Sequence, residues 1–284
     1  MHSPPPDPER PPGLHGHAGS LAARDGEQAS QGQGWRSVTW RRGWRQALSL
    51  SRWARLWPAR WPGRCGICHD WPAQPLCETC VSAFAVPRLR CGRCALAVPP
   101  DSPVCAHCLQ VPPPWSACIA AVDYGWPWNG LIADFKFHGQ SGLARPLAQL
   151  MLAADGMAER LAEAELVTAM PLSRQRLAVR GYNQSLLLAQ ALAPPPRCQS
   201  LLLRLRDTLP QRSLPRSGRL ANLAGAIVAD PAATAQLRGR HVLLVDDVMT
   251  SGASLQAATL ALLEGGADRV SVAVLARTPL EDAD

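Results

Sequence analysis

Few folds accommodate a buried apolar run that ends in two adjacent carboxylates and a loop of small hydroxyl residues, and this chain carries that string at residues 241–255, HVLLVDDVMTSGASL. Val242–Val245 suits a buried parallel strand, Asp246 and Asp247 close it, and Thr250, Ser251, Gly252, Ala253 and Ser254 form a small loop before a helical pattern over Leu255–Leu263. Backbone N–H groups at a helix N-terminus hold phosphate when no large side chain screens them. A side chain at position 252 is therefore expected to block such a ligand directly and leave the sheet folded. Taken singly, each residue has a plainer role: Asp, Ser and Thr cap helices, and Gly turns the chain.

As a whole the string resembles the phosphoribosyl pyrophosphate (PRPP) motif of type I phosphoribosyltransferases: four apolar residues, two acids, two apolar residues, then a Thr/Ser–Ser–Gly–x–Ser/Thr loop. The resemblance implies an α/β fold with a parallel sheet.

The flanking sequence has the matching alternation. Cys118–Tyr124 and Glu165–Met170 pattern as strands, with helices over Trp128–His138 and Gly142–Ala164 between them; Ser185–Ala193 is a further helix and Val270–Ala276 a last buried strand. Such βαβ order implies right-handed crossovers and a ligand crevice at the carboxyl ends of the strands. Pro171–Gln184, PLSRQRLAVRGYNQ, follows one such end. Its Arg174, Arg176 and Arg180 suit pyrophosphate oxygens, for which a planar guanidinium is well shaped, and the alternative is a solvated helix face. Asn183 and Gln184, set off by Gly181, and the chain's one lysine, Lys136, in FKFHG, complete the candidates for the same ligand. Leu201–Ile227 distributes Arg204, Arg206, Thr208, Gln211, Arg216, Arg219 and Asn222 over a loop and short helix suited to closing over a phosphosugar.

Eight of ten cysteines fall in CxxC pairs: Cys65/Cys68, Cys77/Cys80, Cys91/Cys94 and Cys105/Cys108. Two residues between thiolates let both sulfurs of a tight turn face one ion, and tetrahedral Zn²⁺ takes two such turns. Two structural zinc sites follow. Consecutive pairing gives intervening loops of eight and ten residues, and interleaved pairing stays open. With little apolar content between the knuckles, metal supplies most of the folding free energy there. Cys118 and Cys198 lie outside the pattern and read as core thiols.

The domain layout that results is a tail over 1–64, a double zinc ribbon over 65–111, a proline linker at Pro112–Pro114, and a sheet domain over 115–284. The tail is basic: ten arginines against Asp7, Glu9, Asp25 and Glu27 account for +6 of the net +7. Residues 1–34 are rich in Pro, Gly, Ser and Gln and are expected to be disordered. Over 35–64, tryptophans interleave with arginines at helical spacing, which suits stacking on single-stranded bases or lying on an anionic membrane; an extension without fixed structure is the alternative. No stretch approaches the ~20 apolar residues of a membrane span, and the N-terminus lacks a signal-peptide layout, so a cytoplasmic protein with reduced, metal-bound thiols is expected.

Taken together, the knuckles, FKFHG, PL…RGYNQ, RLRDTLPQRSL…R…N and VDDVMTSGAS resemble the ComF family over about residues 65–277, in the same order. Met249 stands where leucine is usual and Tyr182 where phenylalanine is usual. The resemblance implies a phosphoribosyltransferase-like protein linked to natural competence and the use of incoming DNA. It implies Mg²⁺ and PRPP bound on Thr250–Ser254, with Asp246 and Asp247 holding the ribose hydroxyls and favouring a cationic transition state. Implied partners are single-stranded DNA and other competence or DNA-processing proteins; the acceptor and the oligomeric state stay open. Three activities remain: a phosphoribosyltransferase of unknown acceptor, a non-catalytic PRPP-sensing factor that binds single-stranded DNA, and a transcription regulator that kept the fold and lost catalysis.

Overall fold

The computed structural model describes residues 63–71, 73–205 and 225–279, all within one compact unit. Residues 1–62 of the expected tail, and Arg206, Thr208, Gln211, Arg216, Arg219 and Asn222 of the expected covering loop, lie outside the described residues.

Four parallel strands form the central sheet: β1 (Ala117–Asp123), β2 (Leu166–Ala169), β5 (His241–Met249) and β6 (Arg269–Arg277), in the order β1-β6-β5-β2. Residues 197–199 extend the β2 edge, with Val167 N–H donating to Arg197 O and Gln199 N–H to Val167 O. Alternate residues of the two central strands enter opposite cores, as a sheet covered on both faces requires. Leu243, Val245, Ala273 and Leu275 face a layer built from α3 (Trp128–Phe137), α4 (Ala144–Leu152), α5 (Met157–Glu163) and α7 (Gln184–Leu192). Val242, Leu244, Val270, Val272 and Val274 face the other layer. That layer holds α9 (Ala253–Glu264), α8 (Thr234–Leu237) and a small antiparallel pair, β3 (Leu202–Arg204) with β4 (Ile227–Ala229).

The cysteine-bearing segment packs on both layers. Its helix α1 (Glu78–Phe84) lies against α3, where Trp128 Nε1 donates to Phe84 O at 3.2 Å. Cys91, Cys94, Ala95, Leu96 and Cys108, the last on α2 (Ala106–Gln110), share the second core with β1, β6 and α9.

Three elements differ from the sequence expectation. The helix over 142–164 is two helices, because Gly156 adopts φ +74° and re-aims the chain before α5. The β3–β4 pair has no counterpart in the sequence pattern; Leu205 N–H donates to Ala226 O, so the two ends of the 206–225 segment start side by side. Strand β5 does not stop at the acids but continues to Met249, since Asp246, Val248 and Met249 keep their β6 partners Val274, Ala276 and Arg277.

Candidate phosphate site and metal centres

Strand β2 ends at Ala169, opposite Val245, and β5 runs four residues further with β6 alone beside it. The acid pair therefore stands where one side of the ladder has just been vacated, the crevice position for ligands in an open α/β sheet. Strict alternation would send adjacent side chains to opposite faces. Here both carboxylates meet residues of the same helical layer. Ser185, on the first turn of α7, donates its hydroxyl to Asp246 Oδ1 at 2.8 Å, and Lys136, on the last turn of α3, pairs with Asp247 Oδ1 at 2.9 Å.

Two like charges on one side of an enclosed crevice cannot both ionise freely. The carboxyl of Asp246 is enclosed although the residue as a whole is half-buried, and that burial together with the Asp247 charge pushes its pKa up to about 7. The Ser185 hydroxyl, Lys136 and the Asp247 N–H, which donates to Asp246 Oδ1 at 2.9 Å, oppose the shift without cancelling it. Asp247 is buried, and its Oδ2 has no hydrogen-bond partner among the described residues. An orphaned buried carboxylate oxygen is a place for a cation or a hydroxyl donor.

The 250–254 loop follows directly. Gly252 adopts φ +78°, a backbone that side chains with a Cβ enter only under strain, and Ala253 opens α9. A Cβ at 252 would stand 2.7 Å from Met249 Cε and 3.3 Å from Trp115 Cη2. Both neighbours are core side chains. The expectation that a residue here blocks ligand directly is thus corrected: the missing Cβ faces inward, and the glycine serves the fold of the loop first. Thr250 is exposed, Ser251 and Ser254 are half-buried, and the Ser251 hydroxyl accepts a long bond from Ala253 N–H.

Across the crevice, α6 (Arg174–Arg180) starts just beyond the end of β2, capped by Ser173, whose hydroxyl accepts from Arg176 N–H. Arg174 and Arg176 are exposed on its first turn. Gly181 ends it at φ +80°, and Asn183 caps α7, its Oδ1 accepting from Ser185 and Leu186 N–H while its Nδ2 donates to Met170 O. Asn183 thus anchors the chain rather than presenting a free amide. Arg180 donates to Gln184 Oε1 at 2.6 Å and lies over the Phe137 ring, 5.0 Å from its centroid; burial lowers its pKa. Lys136, proposed from sequence for a pyrophosphate, is brought instead to Asp247. Sequence carries no signal for Ser185, which holds Asp246, or for Arg277, whose Nη1 donates to Met249 O at the start of the loop, because a serine inside a helical pattern and an arginine at a strand end have no motif of their own.

The eight CxxC cysteines form two groups, Cys65/Cys68/Cys77/Cys80 and Cys91/Cys94/Cys105/Cys108, each with sulfurs within 4.8 Å of one another. The consecutive pairing is the one adopted. Cys68 and Cys77 sulfurs are 3.8 Å apart, and Cys94 and Cys105 3.6 Å. Four sulfurs at ~2.3 Å from a tetrahedral Zn²⁺ stand about 3.8 Å apart, whereas a disulfide needs ~2.05 Å. Backbone N–H groups point at the sulfurs, Ile67 at Cys65, Cys80 at Cys77 and Cys105 at Cys91, as they do around bound thiolates. Burial raises Cys91, but N–H donors from Cys105, Arg93 and Cys94 outweigh it and bring the thiol down to about 7. Burial and the neighbouring sulfurs push Cys94 up to about 11. Four thiolates so close need a cation among them, and the donor set fits zinc.

Cys118 and Cys198 are buried in the sheet, as expected of core thiols, and burial raises both. Among the described residues no helix is long and apolar enough to cross a membrane.

Residues 210–282 match the family described as Phosphoribosyl transferase domain. The chain is similar to DNA utilization protein YhgH of Escherichia coli (strain K12), 33% identical over 229 residues that span 76% of this chain and 98% of that one. It is also similar to Competence protein F of Haemophilus influenzae, 33% identical over 193 residues, 66% of this chain and 84% of that protein. A solved protein of Thermus thermophilus, TT1426, aligns at 18% identity over 53% of this chain and 87% of its own, with a TM-score of 0.26 too low to bear on the fold.

Proposed function

This chain belongs to the ComF family, and on that premise we propose that it binds PRPP with Mg²⁺ at the acid pair and the 250–254 loop, and serves the cytoplasmic use of incoming DNA. The observation that carries the reading is the convergence of Asp246 and Asp247 beyond the end of β2. Burial and the neighbouring charge raise the pKa of the first, and the second keeps a buried oxygen without a partner among the described residues. Adjacent acids held this way are poorly suited to a purely structural role, since burying unmatched carboxylate costs stability. They are well suited to ribose hydroxyls and to positive charge.

In this reading the 5′-phosphate accepts N–H bonds from the loop at the start of α9, and the ribose hydroxyls donate to Asp246 and Asp247. Mg²⁺ bound with PRPP would supply charge neutralisation at the pyrophosphate. In pentosyl transfer, an acceptor nitrogen forms a bond to ribose C1 as the bond from C1 to the pyrophosphate oxygen breaks. The electron pair leaves with pyrophosphate, and the acceptor nitrogen gives up its proton. Positive charge on the ring is greatest midway, where the two carboxylates favour it electrostatically. In this reading Arg174 and Arg176, exposed on the helix that follows β2, receive the departing pyrophosphate.

One relative's name speaks of DNA utilization, and the exposed rings favour contact with single-stranded DNA as a second component. Trp71, Trp126 and Phe137 are 64%, 76% and 67% exposed, and such rings are what unpaired bases stack on. Pyrophosphate release from Mg²⁺–PRPP, tested with a panel of nucleobase and amine acceptors, distinguishes transferase from sensor. Calorimetric binding of PRPP without release for any acceptor supports the sensing role, and no binding removes the site from consideration. Single-stranded DNA should bind with steep salt dependence and little sequence preference, and removing residues 1–64 should flatten the slope. An unchanged slope assigns DNA contact to the folded part alone.

A further inference from the structure

Three consecutive carbonyls of the second cysteine cluster's first knuckle accept hydrogen bonds from the sheet domain. Gly92 O accepts from Cys118 N–H, Arg93 O from Trp115 Nε1, and Cys94 O from Arg277 Nε at 2.9 Å. All three donors converge again on the opposite side, at the 249–252 turn. The Cys118 thiol lies 3.8 Å from the Met249 sulfur, and the Trp115 ring packs against the α-carbon face of Gly252. Arg277 Nη1 donates to the carbonyls of Met249 (2.9 Å), Thr250 and Thr278 (2.8 Å). Arg277 is 5% exposed, and its guanidinium meets four backbone carbonyls and the Cys94 side chain.

A buried guanidinium surrounded by carbonyl dipoles still needs a counter-charge. Four thiolates around Zn²⁺ keep a net negative charge beside the guanidinium, and bound metal fixes the knuckle whose carbonyl Arg277 holds. Among the described residues the first cluster has no such link: its contacts run to α3 through Leu131, which faces Gly66, and through Phe84 to Trp128.

We propose that Arg277 is a positioning residue through which metal in the Cys91/Cys94/Cys105/Cys108 cluster sets the shape of the 249–254 loop. The ligand side of this inference rests on the loop being the phosphate site; the coupling itself does not.

Hydrogen exchange on the full-length chain tests it, read at the amides of Ala253, Gln256 and Thr278, which are bonded to Ser251 Oγ, Gly252 O and Met249 O. The amides of strand β5 serve as the control for global unfolding. In Arg277→Lys, with both metals bound, the three loop amides should exchange faster by at least about tenfold, the worth of one charge-assisted bond. Cys105→Ser with Cys108→Ser should do the same, and Cys68→Ser with Cys77→Ser should leave them unchanged. Trp115→Phe, which removes the bond to Arg93 O and the ring edge that packs on Gly252 but leaves Arg277 in place, should give a smaller acceleration in the same amides. Unchanged loop exchange in Arg277→Lys overturns the proposal, as does equal acceleration on emptying either cluster. Should the cysteine variants unfold globally, Arg277→Lys and Trp115→Phe decide it by the same readout. Titration of Mg²⁺–PRPP is a separate arm: wild-type protein that ignores PRPP removes the phosphate-site reading and leaves the exchange result standing.

Discussion

Replacing Gly252 with alanine puts a number on how tightly the loop is built. An L-residue at φ +78° costs about 1–2 kcal/mol relative to glycine. The new methyl must also displace Met249 Cε, 2.7 Å away, and press on Trp115 Cη2 at 3.3 Å. Both side chains are 3% exposed and have little room to retreat, so overpacking adds about 1–3 kcal/mol. Reduced freedom of the unfolded chain returns roughly 0.4–1 kcal/mol. Gly252→Ala should therefore destabilise by about 1–4.5 kcal/mol, measured as a shift in urea midpoint at fixed metal loading. Truncating Met249 to alanine removes the nearer contact, so in that background Gly252→Ala should cost only the backbone strain and the lesser contact with Trp115. The difference between the two backgrounds, about 1–3 kcal/mol, isolates the steric part. A cost below ~0.5 kcal/mol, or the same cost in both backgrounds, would refute the reasoning and return Gly252 to a role at the ligand.

Purified protein should hold two zinc ions per chain, and a chelator should empty the first cluster sooner, because Cys68 is exposed whereas Cys91, Cys94 and Cys108 are buried; metal analysis against time checks this. Asp246, raised from its ordinary 3.8 to about 7 in the folded protein, contributes stability that is fully present below about pH 3.8 and is lost as pH rises through 7. At pH 8 Asp246→Asn should accordingly be more stable than wild type by roughly 2–4 kcal/mol, with the gap closing in acid, and denaturation at several pH values reads it directly. Lys136→Met leaves the buried Asp247 charge unmatched and should cost about 3–5 kcal/mol; adding Asp247→Asn should recover most of that, and recovery of none would mean the pair is not coupled.

The legible part of this fold is the part written in periodicity and spacing. Val242–Val245 and Val270–Ala276 are apolar at nearly every position because both faces of the sheet are covered, and four CxxC pairs at short intervals leave little choice but two tetrahedral sites. What sequence does not carry is the placement of residues by packing. The helix over 142–164 breaks at Gly156, inside a run whose apolar spacing continues across the break. The β3–β4 pair is three residues a strand, too short to leave a period. Arg277 looks like any basic residue closing a strand, and only the chain's return past Cys94 and Met249 makes it a bridge. Position 252 shows the limit within a recognised motif. The glycine is expected from the ligand's side, while the backbone angle and the Met249 and Trp115 contacts come from the protein's side.

The acid pair itself shows how a local rule fails to good effect. Two adjacent residues on a strand ought to be separated by the sheet, each in its own environment. Beyond Val245 the β2 side of the ladder is gone, and both carboxylates turn toward the layer that holds α3 and α7. Their mutual repulsion is then handled twice over, by Lys136 on Asp247 and by a proton shared out to Asp246 near neutral pH. A ligand that brings hydroxyl donors and positive charge relieves both devices at once. It gives Asp247 Oδ2 the partner it lacks among the described residues and favours full ionisation of Asp246. Binding of such a ligand should therefore release a proton near pH 7, visible as a dependence of binding enthalpy on the ionisation enthalpy of the buffer. Asp246→Asn should abolish that buffer dependence while the Lys136 pair with Asp247 stays in place. A wild-type protein that binds Mg²⁺–PRPP with identical enthalpy in phosphate and Tris would show that Asp246 is already ionised and that the two carboxylates do not repel as their placement requires.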